Sequence, residues 1–258
     1  MSTVATPRPH KVDLLITLVE RGLLLRQKRS MIGLFWPIAA PLVMLLLYSF
    51  VFNRVFQVPL RSYPVYLFCG LLPWALFTQG VSTALTSITA ESDIVRRAPF
   101  PYHMLPMASV CSTFLPFTIL LAGFVVVLAF STGVEVTLLP LLILPVAALL
   151  LFTSAVAMLL SLLDVYNHSM RFLIANVLTV WFFLVPIVYR PDMAGFTGEV
   201  LRSVDPINMI VGQFRDILYW GSISRPLHMA LMVIASTVAF VISLAIFSRV
   251  APEVPKEL

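Results

Sequence analysis

The chain has 258 residues, 60% of them hydrophobic and only 11% charged, with a formal net charge of +5 and a mean hydropathy of +0.98. Soluble domains run near 45–50% apolar and about 25% charged, so this composition excludes a soluble globular protein and points to an integral membrane protein. The two cysteines, Cys69 and Cys111, lie in apolar runs that supply no partners for a disulfide framework or a metal site, and they read as buried thiols.

Residues 1–10 contain no apolar run that would serve as a secretory signal, so the membrane segments are expected to direct insertion themselves. From 11 to 29, Val12, Leu15, Ile16, Val19 and Leu23 recur at helical spacing, with Asp13, Thr17, Glu20, Arg21 and Lys28 largely on the other side. The pattern predicts an amphipathic helix along the inner membrane surface, its basic end of Arg26, Lys28 and Arg29 near anionic headgroups. A plain positive anchor for the first span accounts for the same residues.

A charge at mid-bilayer costs about 2.5–3.5 kcal/mol and a helical span needs about 20 apolar residues, so stretches free of Asp, Glu, Lys and Arg mark the spans. The first, 30–53, predicts a helix over 32–53, and the second, 62–90, a helix over 63–88. Before the third, 98–134, comes SDIVRRAPFPYHMLP at 92–106, an acid, two arginines, a histidine and three prolines between apolar runs. Within 92–103, Ser92 suits a helix start, Arg96 and Arg97 suit the C-terminal dipole of a short helix, and Pro99 and Pro101 end it. A short stiff helix of this kind is a docking element in one reading and a positive-inside turn in the other.

The third and fourth stretches predict helices over 104–131 and 137–163, joined to the fifth, 171–189, by the polar turn DVYNHSMR. Asp164, His168 and Arg171 in that turn offer a second partner contact. The segment 190–225 is too interrupted to span, yet INMIVGQFRDILYW is too apolar for an ordinary loop, so a re-entrant or surface helix pair broken at Pro206 is expected there. A last helix is predicted over 227–248. The expected fold class is thus all-α, one domain over 1–258 with six spans between 32 and 249. With both termini inside, eleven of the seventeen Lys and Arg residues fall on the cytosolic side.

Intramembrane ionisable residues mark proton relays and ion pathways, and the apolar cores hold essentially none. There is no HExxH and no GxSxG, and Lys11, Lys28 and Lys256 all lack the glycines of a GxxxxGK[ST] phosphate loop. The chain therefore reads as a non-enzymatic transport subunit with no cofactor of its own; any ATP would be hydrolysed elsewhere. A passive channel or ion-coupled carrier, and a membrane-embedded lipid or sugar enzyme, are the alternatives.

The run LLLRQKRSMIGLFWPIAAPL, the segment YLFCGLLPW at 66–74, the loop RRAPFPYHMLP at 96–106, the turn DVYNHSMRFL and DPINMIVGQFRDIL at 205–218 together resemble the permease subunit of polysaccharide-exporting ABC transporters, the family of O-antigen, capsule and teichoic acid exporters. Among these the chain is similar to actinobacterial members, for which the cargo would be a lipid-linked galactan of the cell wall. The resemblance implies a bacterial plasma-membrane homodimer of permeases with two cytosolic ATPase subunits that carry ATP and magnesium. It implies no nucleic-acid partner. Ser92, Asp93, Ile94, Arg96 and Arg97 would form the coupling helix, Arg26, Lys28 and Arg29 would flank a lateral gate opening to membrane lipid, and 190–225 would shape the exit. Aromatic faces let a sugar chain slide without fixing many hydrogen bonds. Phe35, Trp36, Tyr48 and Phe52 on the first span, and Trp181, Phe182, Phe183 and Tyr189 on the fifth, are the candidates for that path, although such residues also serve as interface anchors.

Overall fold

The computed structural model of the protein describes residues 11–29, 31–52, 62–97, 101–131, 136–189, 205–223 and 225–257. Helix α1 is Lys11–Arg29, α2 Met31–Phe50, α3 Tyr63–Leu85, α4 Ser87–Ala90, α5 Ser92–Arg97 and α6 Met104–Ser131. A 3-10 turn, Val136–Leu142, leads into α7 (Ile143–Tyr166); α8 is Met170–Leu184, α9 Pro206–Arg215, α10 Pro226–Val250 and α11 Val254–Glu257. The described residues contain no strand. Among the described residues, four helices are long and apolar enough to cross a membrane, over Tyr63–Leu85, Met104–Phe130, Thr137–Tyr166 and Pro226–Val250, while Phe35–Phe50 and Met170–Leu184 are apolar but shorter.

α3 and α8 end short of their charge-free stretches, each for a local reason, and the fourth stretch opens as the 3-10 turn before α7 carries on to Tyr166. α8 stops at Leu184 rather than 189, because Pro186 holds Val185 in extended backbone (φ −73°, ψ 124°). α3 ends at Leu85, and Thr86 (φ −95°, ψ 5°) turns the chain into α4. Thr83 Oγ1 donates to the Gln79 and Gly80 carbonyls, the back-bonding that bends helices. Pro206 opens α9, where its missing N–H falls in the first turn behind the cap Asp205. The other half of the expected pair, 190–204, lies outside the described residues.

α3 runs through the middle of the bundle, against α2, α6, α7 and α9. Its approach to α7 depends on Gly80, where an added Cβ would come within 2.7 Å of Thr153 Cγ2. α10 packs along α7 through Met229, Met232, Ser236, Ser243 and Phe247. The two serines meet a partner helix with Ala148, Ala155 and Ala157 buried, and small side chains on both helices allow close packing. One apolar core fills the middle of the bundle around Leu67, Leu72, Phe77 and Phe214. A second lies at the end carrying α4 and α5 and joins Ile88, Val95, Leu105, Met158, Leu162, Val165, Phe247 and Val254.

Candidate functional site: a docking end and an aromatic cleft

At the α4–α5 end, Val95 is buried in the second core, while Asp93 and Arg96 are exposed. The Tyr102 hydroxyl reaches the Val95 carbonyl (3.4 Å), so among the described side chains of α5 Val95 seats the helix while Asp93 and Arg96 stay exposed. Ser92 is the first helical residue, preceded by Glu91. Glu91 pairs with Arg21 of α1 at 3.0 Å, which ties the N-terminal helix to the loop. The side chains of Ile94 and Arg97, and residues 98–100, lie outside the described residues, as do the side chains of Arg26, Lys28 and Arg29.

The turn after α7 is built on one carboxylate. Asp164 is fully buried and accepts from Arg171 Nε and Nη2 (2.8 Å for the latter) and from Thr89 Oγ1 (2.9 Å); Arg171 Nη2 also donates to Thr89 Oγ1 (3.0 Å). His168 Nδ1 lies 2.8 Å from the Asp164 carbonyl, the geometry of a donor to the end of α7. Asp164 and Arg171 thus join α4, α7 and α8, and the carboxylate itself has no face toward solvent. Arg171 remains part exposed, with 43% of its side chain accessible.

Between α2, α3 and α8 lies a cleft of about 530 Å³. Trp36 and Tyr48 from α2, Trp74 from α3, and Phe182 and Phe183 from α8 form its aromatic walls, and Thr78, Gln79, Ser82 and Thr179 supply polar groups. Tyr48 stacks on Phe182 (centroids 5.7 Å), which meets Trp74 at 5.8 Å and Phe183 at 5.2 Å. The cleft brings together four of the eight aromatic residues singled out in the sequence. Phe35 is exposed away from it; Phe52 packs near Tyr48 and Tyr63. Trp181 turns toward Trp74 and Phe77, and the Tyr189 hydroxyl donates to the Phe183 and Leu184 carbonyls, closing the end of α8. Trp74, Thr78, Gln79 and Ser82 were not foreseen. Their spacing of four, one and three along α3 is the signal that would have found them, a face of an otherwise apolar helix that carries three polar side chains.

A strut at the opposite end of the bundle holds the far side of this cleft. The non-helical stretch 185–189 leaves carbonyls that an apolar surrounding cannot satisfy. Arg215, 5% exposed, donates from Nη1 to Pro186 O (2.8 Å) and from Nη2 to Ile187 O (2.7 Å), and its guanidinium lies 3.8 Å over the Tyr66 ring. Tyr63 and Tyr66 donate to the Val188 and Tyr189 carbonyls. Asp205 accepts from the Ile207 N–H and from Trp181 Nε1, both at 2.9 Å. Burial pushes its carboxyl above the ordinary carboxylate value, and these hydrogen bonds pull it part of the way back.

The family profile described as ABC-2 type transporter matches residues 13–219. Two O-antigen export system permease proteins RfbA of Klebsiella pneumoniae are 26% and 25% identical over 239 residues, covering 92% of this chain and 92% of each relative. The RfbA permease of Myxococcus xanthus is 28% identical over 214 residues, 80% of either chain.

Proposed function

The chain belongs to the ABC-2 type transporter family, and from that premise we propose that it is the membrane permease of an exporter for a lipid-linked cell-envelope polysaccharide, driven by ATP hydrolysed with magnesium on a separate subunit. The observation that carries this reading is the end-to-end likeness to permeases named for O-antigen export, over 92% of both chains. Two copies would face each other across α2 and α8, whose outer surfaces are apolar and unpacked: Leu46 is 71% exposed and Phe172 78%. The polymer would run along the aromatic cleft, since rings stack on sugar faces with little directional cost. α5 would sit in a groove of the ATPase, with Asp93 and Arg96 at the contact.

In this reading α2, α3, α6, α7, α8 and α10 are six spans, α1 lies on the inner surface beside a lateral gate, and both termini are cytosolic. The resemblance to actinobacterial members makes a galactan the favoured cargo. Depletion of the protein, followed by chemical identification of lipid-linked polymer inside the cell, tests the function. Accumulation of a lipid-linked glycan, reproduced when the ATPase subunit is inactivated, is expected. Unchanged export with the ATPase inactive would remove ATP coupling, and a galactose-free polymer would remove the cargo assignment.

A further inference from the structure

A second cleft, of about 400 Å³, opens between α1, the α3–α4 corner and α6. Its walls carry six hydroxyls, from Ser82, Thr83, Thr86, Ser87, Ser109 and Ser112. Thr83, Ser109 and Ser112 donate to carbonyls of their own helices, so each oxygen keeps lone pairs free to accept. Ser87 differs. It is 8% exposed, and its Oγ has no hydrogen-bond partner among the described residues, although buried polar groups are normally paired. Among the described residues, the only charged groups in the cleft wall, Arg21 and Glu91, neutralise each other at 3.0 Å. Such a lining favours neither anion nor cation; it matches an uncharged ligand rich in hydroxyls, which both donates and accepts.

The two clefts meet at one residue. Ser82 lines both, with the hydroxyl cleft continuing along the chain toward Glu91 and the aromatic cleft back toward Leu71. We infer that the hydroxyl cleft is a binding site for the neutral sugar next to the lipid carrier, seated under α1 before it passes Ser82 into the aromatic cleft. This rests on the export reading above and names the part of the substrate that is recognised first. Ser87 donates to a sugar oxygen, the back-bonded serines and threonines accept from sugar hydroxyls, and opening of the Arg21–Glu91 pair widens the mouth.

Lipid retention by the full chain in phosphatidylcholine nanodiscs tests the site, with native mass spectrometry as the readout. The probes are monoglucosyl diacylglycerol, diacylglycerol without a sugar, and phosphatidylglycerol, with free methyl glucoside as competitor. The glucosyl lipid is expected to be retained over diacylglycerol, and retention is expected to fall about five-fold in Ser87→Ala, the size of one lost hydrogen bond. Ser82→Ala, at an exposed position that cannot compromise folding, should weaken it as well. Equal retention by the wild type and both variants would overturn the site. Phosphatidylglycerol held as tightly as the glucosyl lipid would overturn the preference for an uncharged sugar, and displacement by methyl glucoside at equal concentration would overturn the lipid-linked assignment. Because binding is read without nucleotide, a negative result leaves ATP-driven export standing. Conversely, export without an ATPase would remove that reading and leave the sugar preference intact.

Discussion

α3 and α8 face the same cleft, yet α3 buries sixteen of its 23 residues and α8 only Leu178 of its 15. One helix is a spine, fixed by packing on several sides. The other is held at its two ends, by Arg171 on Asp164 at one and by the Arg215, Tyr63, Tyr66 and Tyr189 hydrogen bonds at the other, while its middle touches the bundle through Leu178, Trp181 and Phe182. A transport path needs both kinds of wall, one that stays and one that can be displaced. The apolar outer faces of α2 and α8 cost nothing against lipid tails, so their exposure in the single chain places no strain on the fold.

The largest expected effect lies at the end clamp. Arg171→Met leaves the fully buried Asp164 carboxylate without its cation, and breaking such a pair costs several kcal/mol; with Arg171 itself part exposed, roughly 3 kcal/mol is expected. Hydrogen exchange should rise over α8 and the 164–171 turn and stay low over α3. Next, Gly80→Leu forces side-chain atoms into Thr153 where α3 meets α7; about 1–3 kcal/mol of destabilisation should appear as a lower melting temperature of the whole bundle in detergent. Equal responses of α3 and α8 in the first experiment would erase the distinction between spine and hung helix.

A smaller loss is expected from Asp205→Ala, which removes the cap of α9 and the acceptor of the Trp181 indole N–H together, about 1–2 kcal/mol. Its signature is local, a change in Trp181 fluorescence before any global unfolding. The smallest effect on folding should come from Phe183→Ala. Phe183 is 63% exposed on the cleft-facing edge of α8, so stability should stay within about 0.5 kcal/mol while export falls. Unaltered export in a correctly inserted Phe183→Ala protein would take that wall out of the path.

Much of the bundle is legible in the sequence because lipid leaves so few options: an uncharged stretch of span length has to be helical, and 98–134 and 226–248 frame α6 and α10 closely. Hydropathy fails where a charge is buried with its partner. Asp164 reads in the sequence as part of a partner contact and nothing there marks Arg215, since neither Thr89, 75 positions from Asp164, nor the Pro186 and Ile187 carbonyls can be paired with them by spacing. The hydroxyl cleft was hidden for another reason. Serine and threonine in apolar helices usually bond their own backbone, so Ser87 looked like every other one until its unpaired oxygen was seen in place. Of the aromatic candidates, those on α2 and α8 follow from the sugar cargo that the family resemblance implies, whereas the α3 face needed the packing to decide which side of that helix stays open.

The most direct test of the path is capture of the polymer in cells that contain the ATPase subunit. A photoreactive phenylalanine analogue is placed at Phe183 in the cleft wall and, in a separate strain, at Val241, which is 58% exposed on α10, away from the cleft and from the α2–α8 face. Expected is a glycan-bearing adduct from position 183 that depends on ATP hydrolysis, with only lipid captured from 241. Equal glycan capture from both positions, or lipid alone from 183, would contradict the assignment of the α2–α3–α8 cleft as the export path.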